Sequence, residues 1–290
     1  MKPLLSLQPS PEPHWVGDGF PVRTLFSYAE AESVTPFLML DYAAPTEISP
    51  SDTPKGVGAH PHKGFETVTI VYQGELEHRD STGHKGQIGS GDVQWMTAAS
   101  GIVHAEYHSP EFARTGGIIE MMQLWVNLPA KDKIAPPGYQ TLLSGQIPTV
   151  TLPGGSGSVR VIAGELDGVK GPARTFTPIN VWDTRLAAGH TTTLPAPDGH
   201  TTILAVLRGT VLLNGEQTAT EGMRAMFDRN GEGITLQAQG DTEALVLVLT
   251  GEPILEPVAA YGPFVMNTEM EIRQAMYDYR VGKLGKLEEE

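Results

Sequence analysis

His60-Pro61-His62-Lys63-Gly64-Phe65-Glu66-Thr67-Val68 opens the stretch on which the reading of this chain turns, and His104-Ala105-Glu106 closes it. Successive side chains of an extended strand point to opposite faces, so residues two apart share a face, about 7 Å apart along the strand. Each pair therefore aims two ligand-type groups in one direction. With the two strands side by side, the imidazoles of His60, His62 and His104 and the carboxylate of Glu106 converge on one point. That donor set suits a divalent transition metal, with Fe(II), Mn, Ni, Cu, Co and Zn all admitted by the ligands. Four protein ligands leave an octahedral ion two open positions, which points to substrate or dioxygen binding rather than a structural metal.

The segments between the pairs have strand lengths. Residues 66–73 set Thr67 and Thr69 against Val68, Ile70 and Tyr72, a period of two, and Gly74 ends the run. A strand carrying Leu76, His78 and Asp80 follows, the chain reverses over residues 81–86, and a turn at Gly89-Ser90-Gly91-Asp92 leads into Val93-Gln94-Trp95-Met96. Upstream, Gly17-Asp18-Gly19 signals a hairpin and residues 36–42 a mainly apolar strand, with a polar, proline-rich loop over residues 44–58. Downstream, residues 120–128 form a last clear strand, and residues 131–139, with Pro136-Pro137-Gly138, read as a linker.

Composition agrees with an all-β chain. Gly 33 and Pro 23 in 290 residues supply frequent turns between short apolar runs. A formal charge of −14 disfavours a phosphate-binding surface, so no direct nucleic-acid partner is expected. With Cys 0, disulfides, thiolate metal sites and cysteine nucleophiles are excluded, and His, Asp and Glu must supply any ligands. The apolar run at the N-terminus is short and broken by prolines, and no run is long enough to span a membrane; a cytoplasmic protein is expected.

The second half repeats the first weakly. Matching Gly74 to Gly209 and Gly91 to Gly222 lays Val71-Tyr72-Gln73-Gly74 over Val206-Leu207-Arg208-Gly209. In that register Pro195 and Pro197 stand in place of His60 and His62, and Thr235 and Gln237 in place of His104 and Glu106. The second copy is expected to hold no metal. The tail differs: Thr268-Glu269-Met270-Glu271 is a capping box, and Ile272, Ala275, Met276 and Tyr279 recur at helical spacing. Gly282 and Gly285 stop that helix, and Glu288-Glu289-Glu290 reads as a solvated end.

The histidine stretch, together with residues 91–98, Gly101-Ile102-Val103-His104-Ala105-Glu106, residues 124–129 and Tyr261-Gly262-Pro263-Phe264-Val265-Met266-Asn267-Thr268, resembles the pirin family over nearly the whole chain. The resemblance implies a bicupin: an N-terminal cupin barrel that binds metal (residues 1–135), a degenerate second barrel (145–255), and a C-terminal segment and helix (256–290) packed back on the first. The metal ligands it implies are His60, His62, His104 and Glu106. The general cupin pattern would use Glu66, which lies beyond a Lys-Gly-Phe turn.

Some bacterial pirins are similar to quercetinases, opening flavonols such as quercetin with dioxygen and releasing carbon monoxide. A metal-dependent flavonol 2,4-dioxygenase of the quercetin 2,3-dioxygenase type is therefore expected, with Glu106 as base as well as ligand. Trp95, Met96, Gln123 and Trp125 are candidates for lining the mouth of the barrel. The alternative that the resemblance carries is a non-catalytic, metal-containing regulator acting through protein partners.

Overall fold

Strand pairing, rather than chain order, sorts the residues of the computed structural model, which describes residues 1–287. Pro13–Ala31, Phe37–Ser144 and the chain from Ile254 onward form one unit; Met1–Glu12, Glu32–Pro36 and Gly145–Pro253 form the other. The strands up to Leu142 are β1 (Leu4–Gln8), β2 (His14–Val16), β3 (Phe20–Phe26), β4 (Phe37–Ile48), β5 (Gly56–His62), β6 (Phe65–Gln73), β7 (Leu76–Asp80), β8 (Lys85–Ile88), β9 (Val93–Thr97), β10 (Ile102–His108), β11 (Gly117–Asn127) and β12 (Gly138–Leu142).

In the unit that carries the histidines, a seven-stranded sheet has the order β12-β9-β6-β11-β4-β3-β2, and a four-stranded sheet the order β5-β10-β7-β8. The Gly17-Asp18-Gly19 turn joins β2 to β3, with Val16 opposite Phe20. β4 runs on through the stretch expected to be a loop, because Thr46, Glu47 and Ile48 pair with residues 117–119 of β11. The end of the expected linker is likewise a strand: β12 pairs with β9, Tyr139 opposite Met96. Neither has local sequence patterning; a long-range partner makes the strand.

The other unit repeats this order. Its seven-stranded sheet runs β1, Arg224–Phe227, Thr201–Arg208, Ala244–Gly251, Ile179–Leu186, Gly157–Ala163, Thr149–Thr151, and its four-stranded sheet Thr191–Pro195, Gly233–Ala238, Thr210–Leu213, Gln217–Thr220. The place that β12 takes beside β9 is taken here by β1, beside Arg224–Phe227. The first residues of the chain, expected in the metal-binding domain, thus complete the second barrel.

Pairing also corrects the register of the repeat. β7 (Leu76–Asp80) follows Gly74 and its counterpart Thr210–Leu213 follows Gly209, so in the register of those two glycines Leu213 corresponds to His78. Leu213 pairs with Leu236 as His78 pairs with Glu106, and Leu194 pairs with Ile234 as His60 pairs with His104. Leu194, Ile234 and Leu236 therefore hold the positions of His60, His104 and Glu106. The prolines, Thr235 and Gln237 lie one residue away, and a one-residue slip moves side chains to the opposite face. Leu194, Leu213, Ile234 and Leu236 are all buried in one apolar core with Trp182 and Phe227. Hydrocarbon fills the site where the first barrel presents nitrogen and oxygen.

The C-terminal helix spans Glu269–Arg280, with Thr268 Oγ1 accepting from the Glu271 amide at 3.2 Å and Glu271 Oε2 accepting from the Asn267 amide at 3.1 Å. Ile272 and Ala275 pack on Val103 of β10 with Phe264 and Leu284, whereas Tyr279 is 40% exposed. Ahead of the helix, the chain pairs with the turn that follows His62: Lys63 N donates to Pro263 O at 3.2 Å and Val265 N to Lys63 O at 3.0 Å. Gly64 has φ +93° there, and a Cβ on it would collide with the Val265 carbonyl. Glu288-Glu289-Glu290 lies outside the described residues. Among the described residues no helix is long and apolar enough to cross a membrane.

Candidate metal centre

β5 and β10 run antiparallel with His60 opposite His104 and His62 opposite Ile102, so all three histidines share the face that looks into the barrel. Their candidate ligand atoms lie within 4.8 Å of one another. Ring centroids are 4.3 Å apart for His60 and His104, 4.8 Å for His60 and His62, and 4.9 Å for His62 and His104. Glu106 follows His104 on the same face but is not within that trio. Its carboxylate accepts from Gln123 Nε2 at 3.1 and 3.3 Å and from Thr69 Oγ1 at 3.5 Å.

Three imidazoles at this spacing repel one another once protonated. Burial, then the neighbouring imidazoles, hold His62 and His104 well below the usual histidine range, so both rings are neutral. His60 Nδ1 lies 2.8 Å from the Gly58 carbonyl, an acceptor that places a proton on Nδ1. Both nitrogens of His104, and Nδ1 of His62, are buried without a hydrogen-bond partner. Buried polar atoms left unpaired are costly, and a cation among them supplies the missing partner. The residues therefore fit a divalent metal. Burial raises the Glu106 carboxyl, opposed by His60 and by its donors Gln123 and Thr69.

Glu66 lies elsewhere: buried, with Oε1 accepting from Thr97 Oγ1 at 2.7 Å. The barrel-mouth candidates divide by strand parity. Gln94 and Met96 of β9 pair with Thr69 and Thr67, and Gln123 and Trp125 of β11 pair with the same two residues from the other side. Thr69 reaches Glu106, so Met96, Gln123 and Trp125 share the face of the site; Trp125 stands edge-on to His62, centroids 5.2 Å apart. Trp95, between Gln94 and Met96, points to the opposite face with Val68 and is fully buried.

Three residues on the site face carry no motif of their own. His78 lies opposite Glu106, bonded to Gln94 and stacked on Tyr139 at 4.9 Å, and burial lowers it to about 4. His78 reads as a solvated residue in isolation. Its spacing from Asp80 and its place on a strand were the signals available, and Tyr139 comes from the segment expected to be a linker.

Two cupin barrels, one lined by hydrocarbon and one by a buried histidine cluster able to hold a metal, define the chain as a bicupin with a single candidate centre among the described residues. Its sequence matches the Pirin model over residues 19–126 and the Pirin C-terminal cupin domain model over residues 181–285. The chain belongs to the pirin family. It is 54% identical, over 98% of both chains, to a Pseudomonas aeruginosa protein named, provisionally, a quercetin 2,3-dioxygenase. Among solved structures it matches the quercetin 2,3-dioxygenase from Acinetobacter baumannii with TM-score 0.96 and 49% identity, over 99% of this chain and 100% of that one. The fold, at 21% identity, is also that of an Escherichia coli bacterial pirin solved in complex with nickel(II), with TM-score 0.64 over 86% of this chain and 99% of that one.

Proposed function

We propose that this chain is a metal-dependent dioxygenase that opens flavonols such as quercetin with dioxygen and releases carbon monoxide. The observation that carries the reading is the cluster of His60, His62 and His104, in which both nitrogens of His104 and Nδ1 of His62 are buried with no partner among the described residues. The names of the Pseudomonas and Acinetobacter relatives support the substrate class. His60, His62, His104 and Glu106 would hold the ion, with Fe(II) the expected metal and Mn, Ni, Cu, Co or Zn also accepted by these donors. When bound, it supplies Lewis acidity and electron transfer between an ionised flavonol and dioxygen.

The protein's own residues do the rest. Glu106 accepts the proton of the flavonol 3-hydroxyl, a role helped by burial, which raises its proton affinity. Gln123 and Thr69 hold its carboxylate from the opposite sheet and so fix its direction. Met96 and Trp125 supply apolar walls on the same face, and water excluded by them strengthens the polar contacts inside.

Oxygen uptake and carbon monoxide release with quercetin test the reading, measured on protein of known metal content beside His62→Ala. Turnover that tracks metal content and vanishes in His62→Ala is expected. A fully metallated protein without turnover would overturn it in favour of the non-catalytic regulator. Glu106→Gln with metal retained isolates the base: unchanged turnover would remove Glu106 from that role.

A further inference from the structure

The strands that present the histidines have a second, outward face. β10 sends His104 and Glu106 into the barrel and Val103 and Tyr107 out of it; β7, paired with it in regular register, sends His78 and Asp80 in and Arg79 out. Between this outer face and the end of the C-terminal helix lies a groove of about 680 Å³. Arg79, Arg280 and Lys286 line it with Tyr107, Tyr279 and Val103, and no carboxylate does among the described residues.

Three cations converging with no counter-charge among the described residues are unexpected in a chain of net charge −14. Among the described residues, the acids nearest in sequence are already engaged. Glu77 is paired with Lys85 at 3.2 Å, and Asp278 with Lys63 and Lys283 at 3.2 and 3.0 Å. Arg79 has its guanidinium 5.9 Å from the Tyr107 ring centroid, and its Nε is buried with no acceptor. A buried N–H left unpaired is costly, and an oxyanion seated on the guanidinium would satisfy it.

We propose that this groove binds a small organic oxyanion, a carboxylate or phosphate, carried on a flat apolar body. The anionic end meets Arg79, with Arg280 and Lys286 adding charge from the helix end. The flat body lies between Tyr107 and Tyr279 against Val103. A groove of this size falls in the range that small molecules occupy. The site is separate from the histidine cluster and independent of the dioxygenase reading: the two use opposite faces of the same strands.

Titration calorimetry of the full, metal-loaded chain tests it with 2-naphthoate, 2-naphthyl phosphate, inorganic phosphate and the uncharged 2-naphthamide as probes. One or both organic anions should bind, and the tighter of the two assigns the site to carboxylate or phosphate. The amide should bind about tenfold more weakly or not at all, and inorganic phosphate more weakly than 2-naphthyl phosphate. Arg79→Gln should weaken binding about tenfold, and the exposed Arg280→Gln about threefold with an unchanged unfolding midpoint. His60→Ala should leave affinity intact. The proposal is overturned if neither anion binds, if the amide binds as well as the acid, if inorganic phosphate equals its naphthyl ester, if Arg280→Gln changes nothing, or if His60→Ala abolishes binding.

Discussion

Gln123 donates from Nε2 to both carboxylate oxygens of Glu106, at 3.3 and 3.1 Å, and so ties β11 of the large sheet to β10 of the small one across the barrel interior. Glu106 is buried, and a buried carboxylate keeps its direction only where donors hold it.

Gln123→Leu keeps the bulk and removes the donor. Metal affinity and turnover with quercetin should each fall roughly tenfold, the scale of a lost hydrogen bond to a charged group. Metal titration followed by oxygen uptake at matched metal content separates the two effects. Wild-type values for both would show that Gln123 only fills space.

The histidines were legible because a period of two puts both members of each pair on one face, and the pairing of β5 with β10 then needs only that the strands be neighbours. The same rule, applied to Trp95 and Met96, shows that two adjacent strand residues cannot both face the site. Gln94, two residues from Met96, is the residue that does. Tyr139 and β1 were beyond reach for another reason: each becomes part of a sheet only through a distant strand, and nothing in its own sequence says which. In the second barrel the repeat was legible, but the residues standing in for the ligands were off by a single residue of register, since matching glycines fixes loops and not pleats.

That register has a measurable consequence in the second barrel. Leu236 occupies the place of Glu106 and is buried, while Thr235 faces outward with its hydroxyl 3.1 Å from that of Thr193. Leu236→Ala should cost about 2–5 kcal/mol by urea unfolding, and Thr235→Ala no more than about 0.5 kcal/mol. The reverse order would restore the register read from the glycines.

Glu66 gives a pH dependence. Burial pushes its carboxyl up to about 7 from an ordinary 4.5, against the opposing hydrogen bond from Thr97. The folded state therefore holds this proton more tightly than the unfolded chain. The stability so gained is complete below about pH 4.5 and is lost as pH rises through about 7. Glu66→Gln stays neutral and keeps an oxygen for Thr97. Between those limits wild type should lose up to about 3 kcal/mol relative to Glu66→Gln in urea unfolding, with no further change above. Parallel curves for the two proteins would mean that Glu66 ionises normally.

Lys133 joins three parts of the histidine-bearing unit that are far apart in sequence. Its Nζ, buried, donates to Gly64 O at 2.7 Å, Asn127 Oδ1 at 2.7 Å and Val265 O at 3.0 Å. Gly64 lies two residues beyond His62, so the same amine anchors the turn behind a candidate ligand and the C-terminal strand that covers it. Burial lowers this lysine to about 7, so the ammonium is held at a cost that its three acceptors offset. Lys133→Met removes that cost but leaves two carbonyls and an amide oxygen buried without their donor. Each orphaned acceptor carries a penalty of about 1–3 kcal/mol, so the loss should exceed the relief and leave the variant about 2–4 kcal/mol less stable at pH 6. Above about pH 7 the wild-type amine is neutral in the fold while the unfolded lysine remains charged up to its ordinary 10.5. Wild-type stability relative to the variant should therefore rise between those values. Limited proteolysis should cut the variant first near residues 263–266, and its metal affinity should fall with the loosening of the turn at Gly64. A variant as stable as wild type, with the C-terminal strand still protected, would show that Phe264 and Val265 hold that segment by packing alone.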